Sequence, residues 1–159
     1  MKKIMLTLLC AVTVGTLFAQ EKIYNEEIDA MQQIRVAVQL AKDSDRYVFC
    51  QVGGNWCPWC IRFAGFVANT PAVFEVMQQN FVYIHINYSK ANKNMEAMKY
   101  LGNPARFGFP VFVILDGEGR PIHIQNSAYL EEDKGYGEKK VLDFLNQWTP
   151  AAVTTLSDR

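Results

Sequence analysis

The spacing of apolar positions changes several times along the chain and predicts its secondary structure. Between residues 25 and 42 apolar side chains recur at helical spacing, as on one face of an amphipathic helix. Short runs rich in β-branched and aromatic residues predict strands instead. The predicted strands span residues 47–52, 81–88, 111–115 and 120–126. Further helices are predicted across residues 61–67, 71–77, 95–101 and 138–148.

The order of these elements predicts one α/β domain. Helices alternate with strands, and the turn residues Asp116-Gly117-Glu118-Gly119 join the last two strands as a hairpin. Such an order gives a central mixed sheet with helices on both faces. In the polar loop of residues 127–137 we expect Tyr129 and Tyr136 to be surface residues. The tail from Thr149 is predicted to be frayed.

The N-terminus has the layout of a secretory signal peptide. Lys2 and Lys3 precede an uncharged apolar run over residues 4–18, and a small residue follows before the chain becomes polar. The run is shorter than the roughly 20 residues that a membrane span needs. Residues 1–19 are therefore predicted to be a signal peptide, and residues 20–159 the mature domain, located in the periplasm or otherwise exported.

Two alternatives to signal cleavage stay open. Leu17, three residues before the predicted cut, is bulkier than the residue usual there. A lipoprotein would use Cys10 as its lipidated residue, although Leu9 is bulky for such a site and little apolar chain precedes it. An uncleaved apolar run would instead act as a membrane anchor.

Composition excludes some classes of function. The 16 basic and 16 acidic residues give a formal net charge of zero and form no basic patch, so nucleic acid is not an expected partner. The chain contains no glycine-rich phosphate loop, and we expect no metal, flavin or nicotinamide cofactor. Half of the residues are hydrophobic, which suffices for the core of a monomer.

Three cysteines remain after the predicted cut: Cys50, Cys57 and Cys60. Cys57 and Cys60 are separated by two residues and follow a predicted strand at the start of a predicted helix. A helix N-terminus favours the thiolate, which is the attacking species in disulfide exchange. We expect an exposed Cys57 to be the nucleophile and a shielded Cys60 to resolve the mixed disulfide. Cys50, inside an apolar strand, is interpreted as a small buried hydrophobic residue.

Two other interpretations of the cysteine pair stay open. It is a structural disulfide in the first, although such bridges seldom close a two-residue gap at a helix start. In the second it is half of a zinc site, which needs four ligands. Cys50, His85 and His123 would have to supply the others, and their spacing is irregular.

The segment Asn55-Trp56-Cys57-Pro58-Trp59-Cys60, together with Gly108-Phe109-Pro110 and the apolar strand after it, resembles the thioredoxin superfamily. More narrowly, it is similar to exported thioredoxin-like proteins of bacterial envelopes, such as the C-terminal reductase domain of the transmembrane thiol reductase that serves cytochrome c maturation. The resemblance implies a thioredoxin-like fold and thiol:disulfide oxidoreductase activity. It also implies that protein disulfides are the substrates and that a membrane thiol donor reduces the cysteine pair.

The resemblance also assigns a substrate surface. It implies that Pro110 is the family's cis-proline and that its peptide bond faces the disulfide. Trp56, Trp59 and Phe109 are the neighbouring candidates for substrate binding. We further expect the loop of residues 127–137 to fold over the rim near Pro110, because it is longer than the roughly 2–6 residues that a strand-to-helix connection needs.

The chain departs from thioredoxins at two places. Gln51 lies six residues before Cys57, where thioredoxins carry a buried aspartate, and His85 lies where they carry its lysine partner. We expect Gln51 and His85 on one side of adjacent strands, with His85 as a possible proton acceptor for Cys60. The uncharged Pro58-Trp59 between the cysteines predicts a moderately reducing pair.

These patterns together predict an exported thiol–disulfide oxidoreductase that reduces protein disulfides through Cys57 and Cys60. A disulfide oxidase or isomerase is the alternative within the same chemistry. A non-catalytic binding module on the same fold is the alternative from another class.

Overall fold

The computed structural model describes residues 22–155, which form a four-stranded sheet with helices on both faces. The sheet order is β2-β1-β3-β4, with β1 and β2 parallel and the other pairs antiparallel. The strands are β1 (Tyr47–Gly53), β2 (Phe81–Asn87), β3 (Val111–Leu115) and β4 (Pro121–Asn126). The predicted α/β fold with a central mixed sheet is confirmed.

Six α-helices, two short 3-10 helices (Pro104–Phe107 and Ser127–Leu130) and a small hairpin complete the described chain. The helices are α1 (Ala30–Asp43), α2 (Pro58–Asn69), α3 (Pro71–Asn80), α4 (Met95–Tyr100), α5 (Glu138–Gln147) and α6 (Pro150–Thr154). The hairpin consists of β5 (Glu131–Glu132) and β6 (Gly135–Tyr136). Helices α1 and α4 cover one face of the sheet, while α2, α3 and α5 cover the other.

Side-chain alternation along β1 divides the core between these two faces. Cys50 and Val52 point toward α1, whereas Phe49 points toward α2. On the α2 face Phe63 packs against Phe112 of β3, with ring centroids 4.2 Å apart. This contact holds α2 against the sheet and thereby fixes its N-terminus beside the end of β1.

The structure corrects two predicted boundaries. Helix α1 begins at Ala30 rather than at residue 25, because the Asp29 side chain accepts a hydrogen bond from Met31 N and caps the helix there. The tail is not frayed from Thr149, whose hydroxyl accepts from Ala152 N and caps the short helix α6.

The predicted signal peptide of residues 1–19, including Cys10, lies outside the described residues. Within residues 22–155, no helix combines the length and the apolar character required to cross a bilayer.

Candidate active site

Cys57 and Cys60 form a disulfide at the N-terminus of α2. Their Cα atoms are 5.2 Å apart, and Cys57 is the N-cap residue, whose sulfur accepts a hydrogen bond of 3.2 Å from Cys60 N. Cys57 is 4% exposed and Cys60 0%. The order of exposure is as predicted, but the expectation of an exposed Cys57 is wrong: Cys57 is buried because Ile23, Trp59 and Phe109 pack around the pair.

Cys50 is the free cysteine of the described chain and is fully buried on the opposite face of the sheet. Burial raises the pKa of its thiol far above the ordinary value. Cys50 is thus the buried hydrophobic residue that the sequence predicted. Among residues 22–155, no three His, Cys, Asp or Glu side chains are grouped closely enough to hold a metal ion.

The last residue of β1, Gly53, allows Cys60 to approach the sheet. A Cβ atom on Gly53 would collide with Cys60 Sγ and would lie 2.9 Å from Tyr24 Oη. The sulfur of Cys60 and the hydroxyl of Tyr24 therefore both lie close to the Gly53 backbone, in one buried cluster with Cys57.

Gln51 is fully buried directly beneath this cluster. Its Nε2 donates to Cys60 O at 2.9 Å and to Tyr24 Oη at 2.5 Å, and its Oε1 accepts from the Tyr83 hydroxyl. The amide thus ties β1 to the first turn of α2, to β2 and to the segment before α1. Because an amide does not titrate, Gln51 organises the site without exchanging protons.

His85 pairs in register with Gln51 across β1 and β2, and its side chain lies on the α2 face. Its ring centroid is 5.3 Å from that of Tyr24 and 4.7 Å from that of Tyr83. Its Nε2 is buried and has no hydrogen-bond partner among the described residues. Burial lowers the pKa of His85 from 6.5 to about 4, so the imidazole is neutral at pH 7.

An aromatic wall formed by Trp56, Tyr88 and Phe109 lies next to the disulfide, against which Phe109 packs. The ring of Phe109 lies 5.4 Å from that of Trp56 and 5.0 Å from that of Tyr88, and Trp56 Nε1 donates to Tyr88 O at 2.7 Å. Trp56 remains 54% exposed and lines a groove of about 560 Å³ together with Tyr88 and Lys90. The Phe109–Pro110 peptide bond is cis, and Pro110 leads directly into β3.

Trp59, between the two cysteines, is held by neighbours on two sides. The Arg62 guanidinium lies 4.6 Å above its ring, and Tyr136 meets it edge-on at 5.6 Å while donating a hydrogen bond to Trp59 O. The expectation of a surface Tyr136 is wrong: it is 7% exposed and packs against α2, whereas Tyr129 is 75% exposed. The loop of residues 127–137 thus reaches the active-site helix at Trp59.

Three further residues shape the site, and the sequence analysis gave none of them a role. Asn55 Oδ1 accepts from Ile23 N and Tyr24 N, and Asn55 Nδ2 donates to Tyr24 O at 2.8 Å. The Asn55 amide therefore clamps Tyr24 against the active-site turn. No local pattern marks Tyr24, and the motif that contains Asn55 does not reveal its contact with Tyr24, which spans about 30 positions of sequence. Tyr83 was detectable as the residue two positions before His85, on the same side of β2.

Comparison with known proteins agrees with this architecture. The sequence profile of a thioredoxin-like family matches residues 29–117. The fold is similar to that of the disulphide isomerase from Xylella fastidiosa Temecula1, with a TM-score of 0.71, 21% identity and coverage of 81% of this chain and 98% of that one. It is also similar to a thioredoxin from Thermus thermophilus, with a TM-score of 0.51, 20% identity and coverage of 71% and 81%.

A search of curated protein sequences gave no match. The profile nevertheless covers more than half of the chain, and it includes β1, the cysteine pair and β3. The chain therefore belongs to the thioredoxin-like family.

Proposed function

We propose that the protein is an exported thiol:disulfide oxidoreductase that reduces disulfide bonds of other proteins. Thiol–disulfide exchange is the activity that the family and the cysteine pair support. The observation that carries the proposal is the Cys57–Cys60 disulfide at the N-terminus of α2, with Cys57 as the less enclosed sulfur. The direction of electron flow, the export and the substrates belong to the proposal.

The reaction proceeds in two exchanges. The Cys57 thiolate attacks one sulfur of a substrate disulfide, the substrate bond breaks, and the other substrate sulfur leaves as a thiolate. Cys60 then attacks Cys57, which forms the Cys57–Cys60 bond and releases the second substrate thiolate. The substrate gains two electrons, the protein loses two, and the released thiolates take protons from solvent.

The aromatic wall supplies a surface on which a substrate binds. Phe109 and Trp59 pack against the disulfide, and Trp56 contacts Phe109. Pro110 leads directly into β3. Flat, rigid side chains of this kind provide apolar contact at a small cost in conformational entropy. We assign substrate binding to these four residues.

His85 is the candidate for removing the proton of Cys60. Its neutral imidazole lies on the same face as Gln51 and lines a groove of about 490 Å³ through which a proton reaches solvent. Because burial lowers its pKa to about 4, protonated His85 is short-lived at pH 7, so any transfer through it passes onward to water. Gln51 takes a positioning role in this relay.

The N-terminal sequence supports export to the periplasm, and a membrane thiol donor, as in cytochrome c maturation, then recharges the cysteine pair. In this arrangement the protein acts as a monomer that alternates between donor and substrate. Both partners reach the same cysteine, Cys57.

Equilibration of the Cys57–Cys60 pair with glutathione tests the direction of electron flow. Mass spectrometry after acid quenching and alkylation gives the reduced fraction at each ratio of reduced to oxidised glutathione. A potential well below about −200 mV supports the reductase. A potential near about −120 mV identifies an oxidase instead, and the absence of any exchange favours the non-catalytic binding module.

A further inference from the structure

The buried hydroxyl of Tyr24 has a role in the exchange reaction of Cys60, an inference that rests on the proposed function. We propose that Tyr24 donates a hydrogen bond to the Cys60 sulfur whenever that sulfur is a thiolate. In this role a neutral hydroxyl replaces a titratable carboxyl beside the resolving cysteine.

The direction of the hydrogen-bond chain at Gln51 is fixed by a carbonyl group. Cys60 O is only an acceptor, so the amide nitrogen of Gln51 must face it. The same nitrogen then donates to Tyr24 Oη, and the amide oxygen on the other side accepts from Tyr83. Tyr24 Oη is therefore an acceptor toward Gln51, and its own hydrogen must point elsewhere.

The Cys60 sulfur is the group toward which that hydrogen can turn. Tyr24 is 1% exposed, and its hydroxyl donates to no acceptor among residues 22–155 in the disulfide form. Both Tyr24 Oη and Cys60 Sγ crowd the Cβ position of Gly53, in a cluster shared with Cys57. A sulfur in a disulfide accepts hydrogen bonds weakly, whereas a thiolate accepts them strongly.

The environment of Tyr24 keeps it a donor and prevents it from acting as an acid. Burial raises the pKa of Tyr24 well above its ordinary value of 10, even though the hydrogen bond from Gln51 opposes the shift. The hydroxyl therefore retains its hydrogen throughout the exchange and transfers no proton. The proton of Cys60 leaves by another route, and Tyr24 stabilises the charge that remains on the sulfur.

The hydroxyl is held in place before the reaction begins. The Asn55 side chain binds both the N–H and the carbonyl of Tyr24, and the ring of His85 packs edge-on against the Tyr24 ring. A donor fixed where charge develops stabilises that charge without reorganising during the reaction. The thiolate of Cys60 forms in both directions of exchange: it attacks Cys57 when substrate is released, and it leaves when a donor thiol reduces the pair.

The reaction of the reduced protein with Ellman's reagent tests the inference, because each of the two exchanges releases one thionitrobenzoate. Attack by Cys57 gives the first release and resolution by Cys60 the second. The Tyr24→Phe variant removes the hydroxyl and keeps the ring. We expect its second release to slow by about 3- to 10-fold while the first changes little, because losing a hydrogen bond lowers the thiolate fraction by about 10- to 100-fold but makes the remaining thiolate more nucleophilic.

The pH profile separates this role from a merely structural one. The second release in Tyr24→Phe should recover at higher pH, because the thiolate of Cys60 then forms without the hydroxyl. Tyr47→Phe is the control: it deletes the hydroxyl of a tyrosine at the opposite end of β1 and should leave both releases unchanged.

Three results would contradict either the role of Tyr24 or the proposed function. A second release in Tyr24→Phe with the rate and pH profile of the unmodified protein overturns the inference. Equal slowing of both releases also overturns it, since the effect would then not belong to Cys60. An unmodified protein that releases fewer than two thionitrobenzoates for each Cys57–Cys60 pair overturns the proposed function itself.

Discussion

Gln51 occupies the position at which the resemblance to thioredoxins predicts a titratable carboxyl. The structure shows why glutamine fits there: two donors are needed, one for Cys60 O and one for Tyr24 Oη, together with one acceptor for Tyr83. A carboxylate supplies acceptors only, so an aspartate would leave the Cys60 carbonyl without its donor. The chemistry of this position is therefore set by three neighbours from different parts of the chain.

Gly53 lies where an added side chain would collide with the cysteine pair. Gly53→Ala should lower the free energy of unfolding by about 1–3 kcal/mol, because the added Cβ collides with Cys60 Sγ and Tyr24 Oη. Urea unfolding of the oxidised protein measures the change.

Gly65→Ala is the matched control, since a Cβ at that position of α2 meets nothing within 4 Å. It should leave stability unchanged or raise it by about 0.5–1 kcal/mol through its effect on helix propensity. A Gly53→Ala protein as stable as the unmodified one would show that the sulfur does not approach the strand as described.

Hydrophobic spacing predicted most of the helices and strands. Strand β3 was predicted at its observed bounds, and β1 and β2 within one residue. The loop of residues 127–137 was less predictable, because its hairpin β5–β6 is too short for a period-2 pattern. Tyr136 looked like a polar-loop residue and is instead part of the aromatic core over α2.

Substitutions in this loop test whether it supports the active-site helix. Tyr136→Ala should cost about 3–5 kcal/mol of stability, as expected for removing a buried aromatic side chain, and should change the fluorescence of Trp59. Tyr129→Ala, in the same loop but exposed, should change stability by less than about 0.5 kcal/mol. Equal effects of the two substitutions in thermal or urea unfolding would contradict the packing of the loop on α2.

The site joins five distant parts of the chain: the segment before α1, the end of β1 with the start of α2, β2, the Phe109–Pro110 turn before β3, and the loop of residues 127–137. The cysteine pair and the strands were predictable, since each is marked by a local motif or a periodic run. The Asn55–Tyr24 clamp and the Tyr24–Gln51–Tyr83 chain were not, because hydrogen bonds between side chains far apart in sequence leave no periodic signal.

The burial of His85 gives the whole protein a pH dependence. Burial lowers the folded pKa to about 4, whereas an unfolded histidine has its ordinary value of 6.5. Between these values the unfolded chain binds a proton that the folded chain does not, so stability is full above about pH 6.5 and falls as the pH approaches 4. The loss due to His85 reaches about 3 kcal/mol.

Urea unfolding from pH 7.5 to 4.5 measures this loss. His85→Gln should remove the part of the acid destabilisation that His85 causes. His123→Gln, the same change at the chain's other histidine, should retain the acid destabilisation that His85 causes. Parallel pH profiles for His85→Gln and the unmodified protein would mean that His85 is protonated equally in both states.

Trapping of the mixed disulfide tests the central claim, that Cys57 attacks and Cys60 resolves. The reduced Cys60→Ser and Cys57→Ser variants are each mixed with a protein disulfide such as that of insulin, quenched with acid and analysed by mass spectrometry. Cys60→Ser should accumulate a covalent adduct through Cys57, whereas Cys57→Ser should not, because Cys60 is 0% exposed. An adduct that forms equally with Cys57→Ser, or fails to form with Cys60→Ser, would contradict the account.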